Sequence, residues 1–471
     1  MAAIDASSRW PLLVLFGHAL FWLVLSTVIS LVVAIKFHKG DFLADSAWLT
    51  LGRLRPAATH TFLYGFASQA SIGVALWLLC RLGGVRFLYI WPAVVAGKLW
   101  NFAVLVGFVA ILMGKSTGFE WLEMPRYAAG LLFVAYLILG LTAAGTFASR
   151  RSRELYPSQW FILAGLFCFP WIFSASTSLL LLDPVRGTLQ AAVSAWHTGG
   201  LLHLWLTPMA LAAVHYFVPR LTGQPLYSRQ LAVLGFWTLM AFGGFAGFTS
   251  LLGAPVPRWM PSVGTAATGC LIVAWVSNGL NLHLTQRGNC CAWKSDFVLR
   301  FILAGFGCYL VHAVVNTLFA LPAVNAVVGL TYATAGATWL ALQGFAGLVL
   351  VGCIYYIVPR IAQVGWPRES WMRLHFLTSV AGVALVFVGM VVGGVLQGSR
   401  LADPTIPFLT VVKGTIPFIG LTTLGVLLLL VGQVSLLANF GLLLRGLLQP
   451  LCQAVCAECC GGPAVKAGGR S

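Results

Sequence analysis

Nine histidines are the side chains of this 471-residue chain best suited to hold a metal or move a proton: His18, His38, His60, His197, His203, His215, His283, His312 and His375. Neutral imidazole is a common ligand for copper and for heme iron, and it titrates near neutral pH. Their spacing offers no ready local site. His197 and His203 are six residues apart, about 240° around an α-helix, so one ion cannot take both from one helix face. His60, His197, His203 and His312 fall inside apolar stretches, where a metal or heme site would have to be assembled in space. His215, His283 and His375 fall near stretch ends, where an interfacial position is expected.

The other ionisable residues narrow the chemistry further. Asp5, Asp41, Asp45, Glu120, Glu123, Glu154, Asp183, Asp296, Glu369, Asp403 and Glu458 all stand in loops, termini or the edges of apolar stretches. A carboxylate proton relay, or cation-coupled transport through acidic ligands, would place one of them mid-membrane. Lys98 is the one cation well inside an apolar stretch, where a lysine can snorkel. Of eleven cysteines, Cys80, Cys168, Cys270, Cys308 and Cys353 are scattered singly and read as small apolar residues. Cys290 and Cys291 and the tail group Cys452, Cys456, Cys459 and Cys460 are expected on the cytoplasmic side, which disfavours disulfides. The tail spacing resembles a metal site only loosely, and palmitoylation is the other reading.

The elements that must position these groups are membrane helices. A mean hydropathy of +0.92, with 59% hydrophobic and 8% charged residues, describes an all-α polytopic membrane protein. Twelve stretches are long enough to cross a bilayer: 10–35, 57–81, 88–113, 125–148, 159–181, 190–219, 229–253, 261–285, 298–321, 328–359, 374–397 and 411–445. Residues 1–445 thus form one twelve-span membrane domain, and 446–471 a short Cys/Gly-rich cytoplasmic tail. The net charge of +17 is not a nucleic-acid footprint, because the basic residues cluster in alternate loops. By the positive-inside rule both termini are cytoplasmic, in a bacterial-type inner membrane. The first stretch is a full-length span, not a cleavable signal peptide.

Two stretches end in nearly the same seven residues, His215-Tyr216-Phe217-Val218-Pro219-Arg220-Leu221 and Tyr355-Tyr356-Ile357-Val358-Pro359-Arg360-Ile361. Proline is expected to end each helix. The aromatic pair and the arginine suit a membrane–water interface.

Several segments together resemble subunit I of the cbb3-type (C-family) heme–copper oxidases and the related nitric oxide reductases. They are Ala47 to Pro56 with His60-Thr61, Trp196 to Pro219 with Pro225-Leu226-Tyr227-Ser228, Ser277 to Leu280, and Val324-Asn325-Ala326 with Thr331, Thr334 and Gly336. The resemblance keeps the order of all twelve spans and implies a twelve-helix bundle around heme and copper centres. It implies one histidine on the second span and two on the tenth for the hemes. Copper would take one histidine from the sixth span and an adjacent pair after the seventh, and the seventh would carry a tyrosine.

Counting back from the two exits, the implied ligand positions hold Gly199, Ala337 and Trp339. Thr249 and Ser250 stand in place of the adjacent pair, and Gly243 in place of the tyrosine. His60 remains if two residues are inserted in Pro56-Ala57-Ala58-Thr59; otherwise Ala58 takes that place. The expectation is a degenerate active site with no catalytic residue and no metal site. No cofactor is expected, His60 being the sole residual candidate for a low-spin heme b. Because a void costs about 24 cal/mol per Å³, side chains such as Trp339 are expected to fill the porphyrin volume. The expected role is a non-catalytic partner, scaffold or assembly component, in contact with the lipid bilayer and with other respiratory or cytochrome subunits. The alternatives are a functional oxidase or nitric oxide reductase subunit with heme, and passage of a small neutral solute.

Overall fold

A computed structural model describes residues 2–289 and 291–459, with side chains to residue 449. The proposed tail begins at its edge: the last helix, Phe408–Cys459, runs past residue 445, and Cys460 lies outside the described residues.

Among the described residues twelve helices are long and apolar enough to span a membrane. Spans 1 to 6 are Arg9–His38, Leu51–Gly83, Ile90–Leu112, Arg126–Ala148, Pro157–Leu182 and Thr188–Thr222. Spans 7 to 12 are Arg229–Leu251, Trp259–Arg287, Phe297–Phe319, Tyr332–Ala362, Glu369–Leu401 and Phe408–Gln449. Their apolar character runs all round, as a lipid-embedded helix requires. Burial separates two classes. The apolar windows of spans 2, 6 and 10 are 100%, 89% and 94% buried, against 39–61% for the other nine. Three inner helices are therefore wrapped by nine outer ones, and any internal site must be built on those three.

The inner helices share a second property. Each changes from α to π geometry in its middle: Thr61–Ala67 in span 2, Leu201–Leu206 in span 6 and Leu340–Gly347 in span 10. A π turn has wider, i→i+5 hydrogen bonding and is rare; it re-aims the side chains beside it. Nothing in the apolar pattern of these segments distinguishes them from α-helix.

The two exits correct the expectation that proline ends the helix. Span 6 runs three residues past Pro219 to Thr222, and span 10 three past Pro359 to Ala362. The stops are left-handed residues, Gly223 (φ 69°) and Gln363 (φ 58°). Proline is tolerated because the carbonyl it frees four residues earlier finds another donor. The Tyr156 hydroxyl donates to the His215 carbonyl at 2.9 Å, and Trp366 Nε1 to the Tyr355 carbonyl at 2.9 Å. Pro170 of span 5 follows the same rule, with the Tyr136 hydroxyl donating to the Leu166 carbonyl at 2.6 Å.

Of the exit aromatics, Phe217, Tyr355 and Tyr356 are buried in the bundle and Tyr216 is half-buried. Phe217 and Tyr356 meet at 4.9 Å between ring centroids. Trp77 of span 2 stacks on Phe217 at 5.9 Å and stands edge-on to Tyr216 and Tyr356, each at 5.8 Å. The three inner helices thus close on one another at the end of the bundle carrying Arg220 and Arg360. A short helix, Ala2–Ser7, caps this closure: Asp5 accepts from Trp77 Nε1 at 3.0 Å and pairs with Arg81 at 3.3 Å. His215 and His375, expected at an interface, are buried too; the His375 ring nitrogen Nδ1 meets the Tyr355 hydroxyl at 2.9 Å. His283 is exposed as expected.

Candidate functional site

The family ligand positions converge at the other end of the bundle. A cavity of about 990 Å³ touches Ala58, Thr249, Ser250, Ala337 and Trp339. Its walls come from spans 1, 2, 9, 10, 11 and 12, from the end of span 7 and from the loop between spans 3 and 4. This corrects the expectation of a filled core. Trp339 lines the space without closing it, because the helix in which it sits is only half-buried on that side.

The copper corner behaves in the opposite way. A Cβ added at Gly199 would lie 2.5 Å from Cα of Gly247, and one at Gly247 would lie 2.2 Å from the carbonyl oxygen of Ala195. Spans 6 and 7 therefore touch backbone to backbone where the resemblance puts an imidazole. At Gly243 a Cβ would come within 2.8 Å of the His203 Cβ, so His203 lies across the tyrosine position. Thr249 and Ser250 spend their hydroxyls on their own turn, bonding the carbonyls of Ala246 and Gly247 at 2.8 Å each.

His60 is fully buried at the start of the span 2 π segment. Its Nε2 donates to the Val104 carbonyl of span 3 at 3.0 Å, and its ring fills the room left by Gly107, where a Cβ would sit 2.7 Å from Nε2. It faces span 3, and the cavity wall at this level is Ala58 and Thr59. The other imidazoles are used alike. His312 Nδ1 donates to the Ala337 carbonyl at 3.0 Å, and His197 Nε2 approaches the Trp121 carbonyl at 3.5 Å. Each leaves one ring nitrogen without a partner: Nδ1 of His60 and His197, Nε2 of His312. A neutral imidazole has one donor and one acceptor, and here the donor serves the backbone. His197 and His203 point apart, towards Trp121 and Gly243 respectively, as their spacing predicts.

The charged residues on the cavity wall are Arg55, Glu120 and Glu123. The two glutamates belong to the loop between spans 3 and 4, which is folded on itself by Thr117: its N–H donates to the Glu123 carbonyl at 2.9 Å and its hydroxyl to the Leu122 carbonyl at 2.6 Å. Trp121 holds a left-handed φ of 64°, which turns its carbonyl inward to accept from the Tyr64 hydroxyl at 2.5 Å. Glu123 is 8% exposed, with Oε2 lacking a hydrogen-bond partner. Burial pushes its carboxyl up to about 7, partly offset by backbone N–H groups of Glu123 and Trp121. Burial raises Glu120 too, against the pull of Arg55. The sequence reading passed over both glutamates because they stand in a loop; their signal was an acidic pair inside an otherwise apolar turn.

Among the described residues, nine of the twelve spans wrap three buried inner helices, each with a π segment, and inner spans 2 and 10 border the cavity; similarity to known proteins gives this architecture its class, subunit I of the heme–copper oxidases. Residues 11–428 match the family model for cytochrome c and quinol oxidase polypeptide I, and the chain belongs to that family. Among its relatives is a cytochrome c oxidase subunit 1 homolog, bacteroid, of Bradyrhizobium diazoefficiens, 24% identical over 91% of this chain and 80% of that one. The cbb3-type cytochrome c oxidase subunit CcoN1 of Stutzerimonas stutzeri is 24% identical over 75% of this chain and 76% of its own length. In fold the chain is similar to a heme–copper terminal oxidase dimer solved by cryo-EM, with a TM-score of 0.67, 15% identity and coverage of 90% of this chain and 84% of that chain.

Proposed function

We propose that this chain is a subunit I homologue that has lost heme–copper chemistry and serves as a non-catalytic membrane component of a respiratory assembly. The same reading puts it in a bacterial-type inner membrane with both termini on the cytoplasmic side, which the clustering of basic residues in alternate loops supports. The observation that carries this reading is the contact between Gly199 and Gly247, where even a methyl group would meet backbone at 2.5 Å. Copper bound by imidazoles from spans 6 and 7 needs those helices apart. The rest of the donor set agrees. Thr249 and Ser250 bond their own turn, Ala337 offers only its carbonyl, and His60 is committed to Val104. The residues present do not fit the family's copper and paired hemes. His60 acts here as a structural donor between spans 2 and 3.

A second reading, a heme-bearing oxidase or nitric oxide reductase subunit with altered ligands, has one observation in its favour. The buried imidazoles of His60, His197 and His312 each keep an unpartnered nitrogen, and the helices of His60 and His312 border a cavity of about 990 Å³. Purification from the native membrane followed by a pyridine hemochrome spectrum and a copper assay separates the two. The first reading expects neither cofactor near one per chain.

A further inference from the structure

Span 3 presents a single outward stripe. Its exposed residues are Trp91, Pro92, Val95, Lys98, Phe102, Leu105 and Val109; apart from Pro92 in the first turn they are spaced alternately four and three apart, so they lie along one face. The opposite face, with Ala93, Ala96, Gly97, Trp100, Ala103, Val104 and Gly107, is buried in the bundle. Five members of the exposed stripe are apolar and belong against lipid or another apolar helix. The sixth, Lys98, carries a charge.

Snorkelling does not remove the difficulty. Lys98 stands seven residues beyond Trp91, about 10 Å along the axis, while a lysine stem covers roughly one turn. Span 3 runs Ile90–Leu112, so Lys98 lies near its middle third. Among the described residues no acidic side chain pairs with it; the ion pair found is Asp5 with Arg81. An ionisable group held within a span is retained where it has a partner.

We propose that the span 3 stripe is the docking face for a transmembrane helix of a different polypeptide, one that carries an aspartate or glutamate within its apolar segment opposite Lys98. The charge fixes the class of occupant. A second copy of this chain cannot supply the carboxylate, because of its acidic residues only Glu369 falls inside a span, as that span's first residue. The apolar members Val95, Phe102 and Leu105 flank Lys98 and provide the packing surface around the pair. Phe21 of span 1 is also exposed, and its neighbour Trp22 ties span 1 to span 3 by donating to Asn101 Oδ1 at 2.7 Å. The site is thus built on a rigid helix pair. The proposal rests on the reading that the chain works within an assembly.

The test uses the full chain with its associates in native membranes. Dicyclohexylcarbodiimide, which reaches buried carboxyls and joins them to an adjacent amine, is applied and the products are mapped by mass spectrometry. An isopeptide between Lys98 and an aspartate or glutamate in an apolar segment of another polypeptide is expected. Lys98→Met should lower recovery of that polypeptide at least tenfold with the chain's own melting temperature unchanged, and Lys98→Arg should retain it. The proposal is overturned by a Lys98 adduct with a second copy, or by none. Labelling of Lys98 in the intact assembly by a membrane-impermeant amine reagent, or undiminished recovery with Lys98→Met, also overturns it. If Lys98→Met does not fold, the wild-type adduct alone decides. Stoichiometric heme would defeat the non-catalytic reading while leaving this adduct in place, so the two failures are distinguishable.

Discussion

At residue 199 the distance to span 7 leaves room for hydrogen and little else. Gly199→Ala should therefore force two helix backbones apart and cost about 1–3 kcal/mol. Gly130→Ala, on a face where an added Cβ meets nothing within 4 Å, should be neutral or slightly stabilising. Thermal unfolding of the two variants in one detergent compares them directly; equal melting temperatures would contradict the backbone contact. Glu123 makes a second prediction. Its carboxyl is raised to about 7 by burial, so the folded chain binds a proton that the unfolded chain releases at lower pH. The stability this contributes is fully present below the usual carboxylate range and is lost as pH rises through about 7. Protection factors across residues 113–125, with the intrinsic pH dependence of amide exchange divided out, should fall between pH 5 and pH 8, and Glu123→Gln should flatten that dependence.

Among the elements, the spans were legible in the sequence and their internal geometry was not. Twenty apolar residues in a row announce a membrane helix whatever it packs against, so the twelve stretches and the twelve helices differ by a few residues at their ends. The aromatic exits misled because an interfacial belt and a buried aromatic cluster use the same residue types. Only the structure shows Trp77 between Phe217 and Tyr356. The prolines misled because the donors that replace their lost bonds, Tyr156 and Trp366, are remote or follow later in the chain. The π segments have no marker in apolar periodicity. The closure of the inner helices also carries a prediction. Asp5→Ala leaves Arg81 buried without its partner and Trp77 Nε1 without an acceptor, at a cost of about 3–5 kcal/mol. Tryptic cleavage after Arg9 should become faster; an unchanged rate would show that the Ala2–Ser7 helix does not depend on this pair.

The whole molecule keeps the fold of its family, and fold does not carry function with it. The expectation that Gly199, Ala337 and Trp339 stand at the ligand positions comes from counting back from the exits, and that for Gly243 from counting back from Pro257 and Trp259, because fixed spacing along a helix transmits register. What became of the volume was not readable. The same substitutions are closed by backbone contact at Gly199 and leave a cavity of about 990 Å³ beside Ala337 and Trp339. Whether a space collapses depends on its neighbours: spans 6 and 7 meet backbone to backbone at Gly199, while the helices around Ala337 and Trp339 pack against one another and still enclose a cavity. The most direct measurement is the heme and copper content per chain, by pyridine hemochrome and metal analysis, of protein purified from its native membrane. The account predicts both far below one per chain, whereas a reproducible value near one heme or one copper would contradict it.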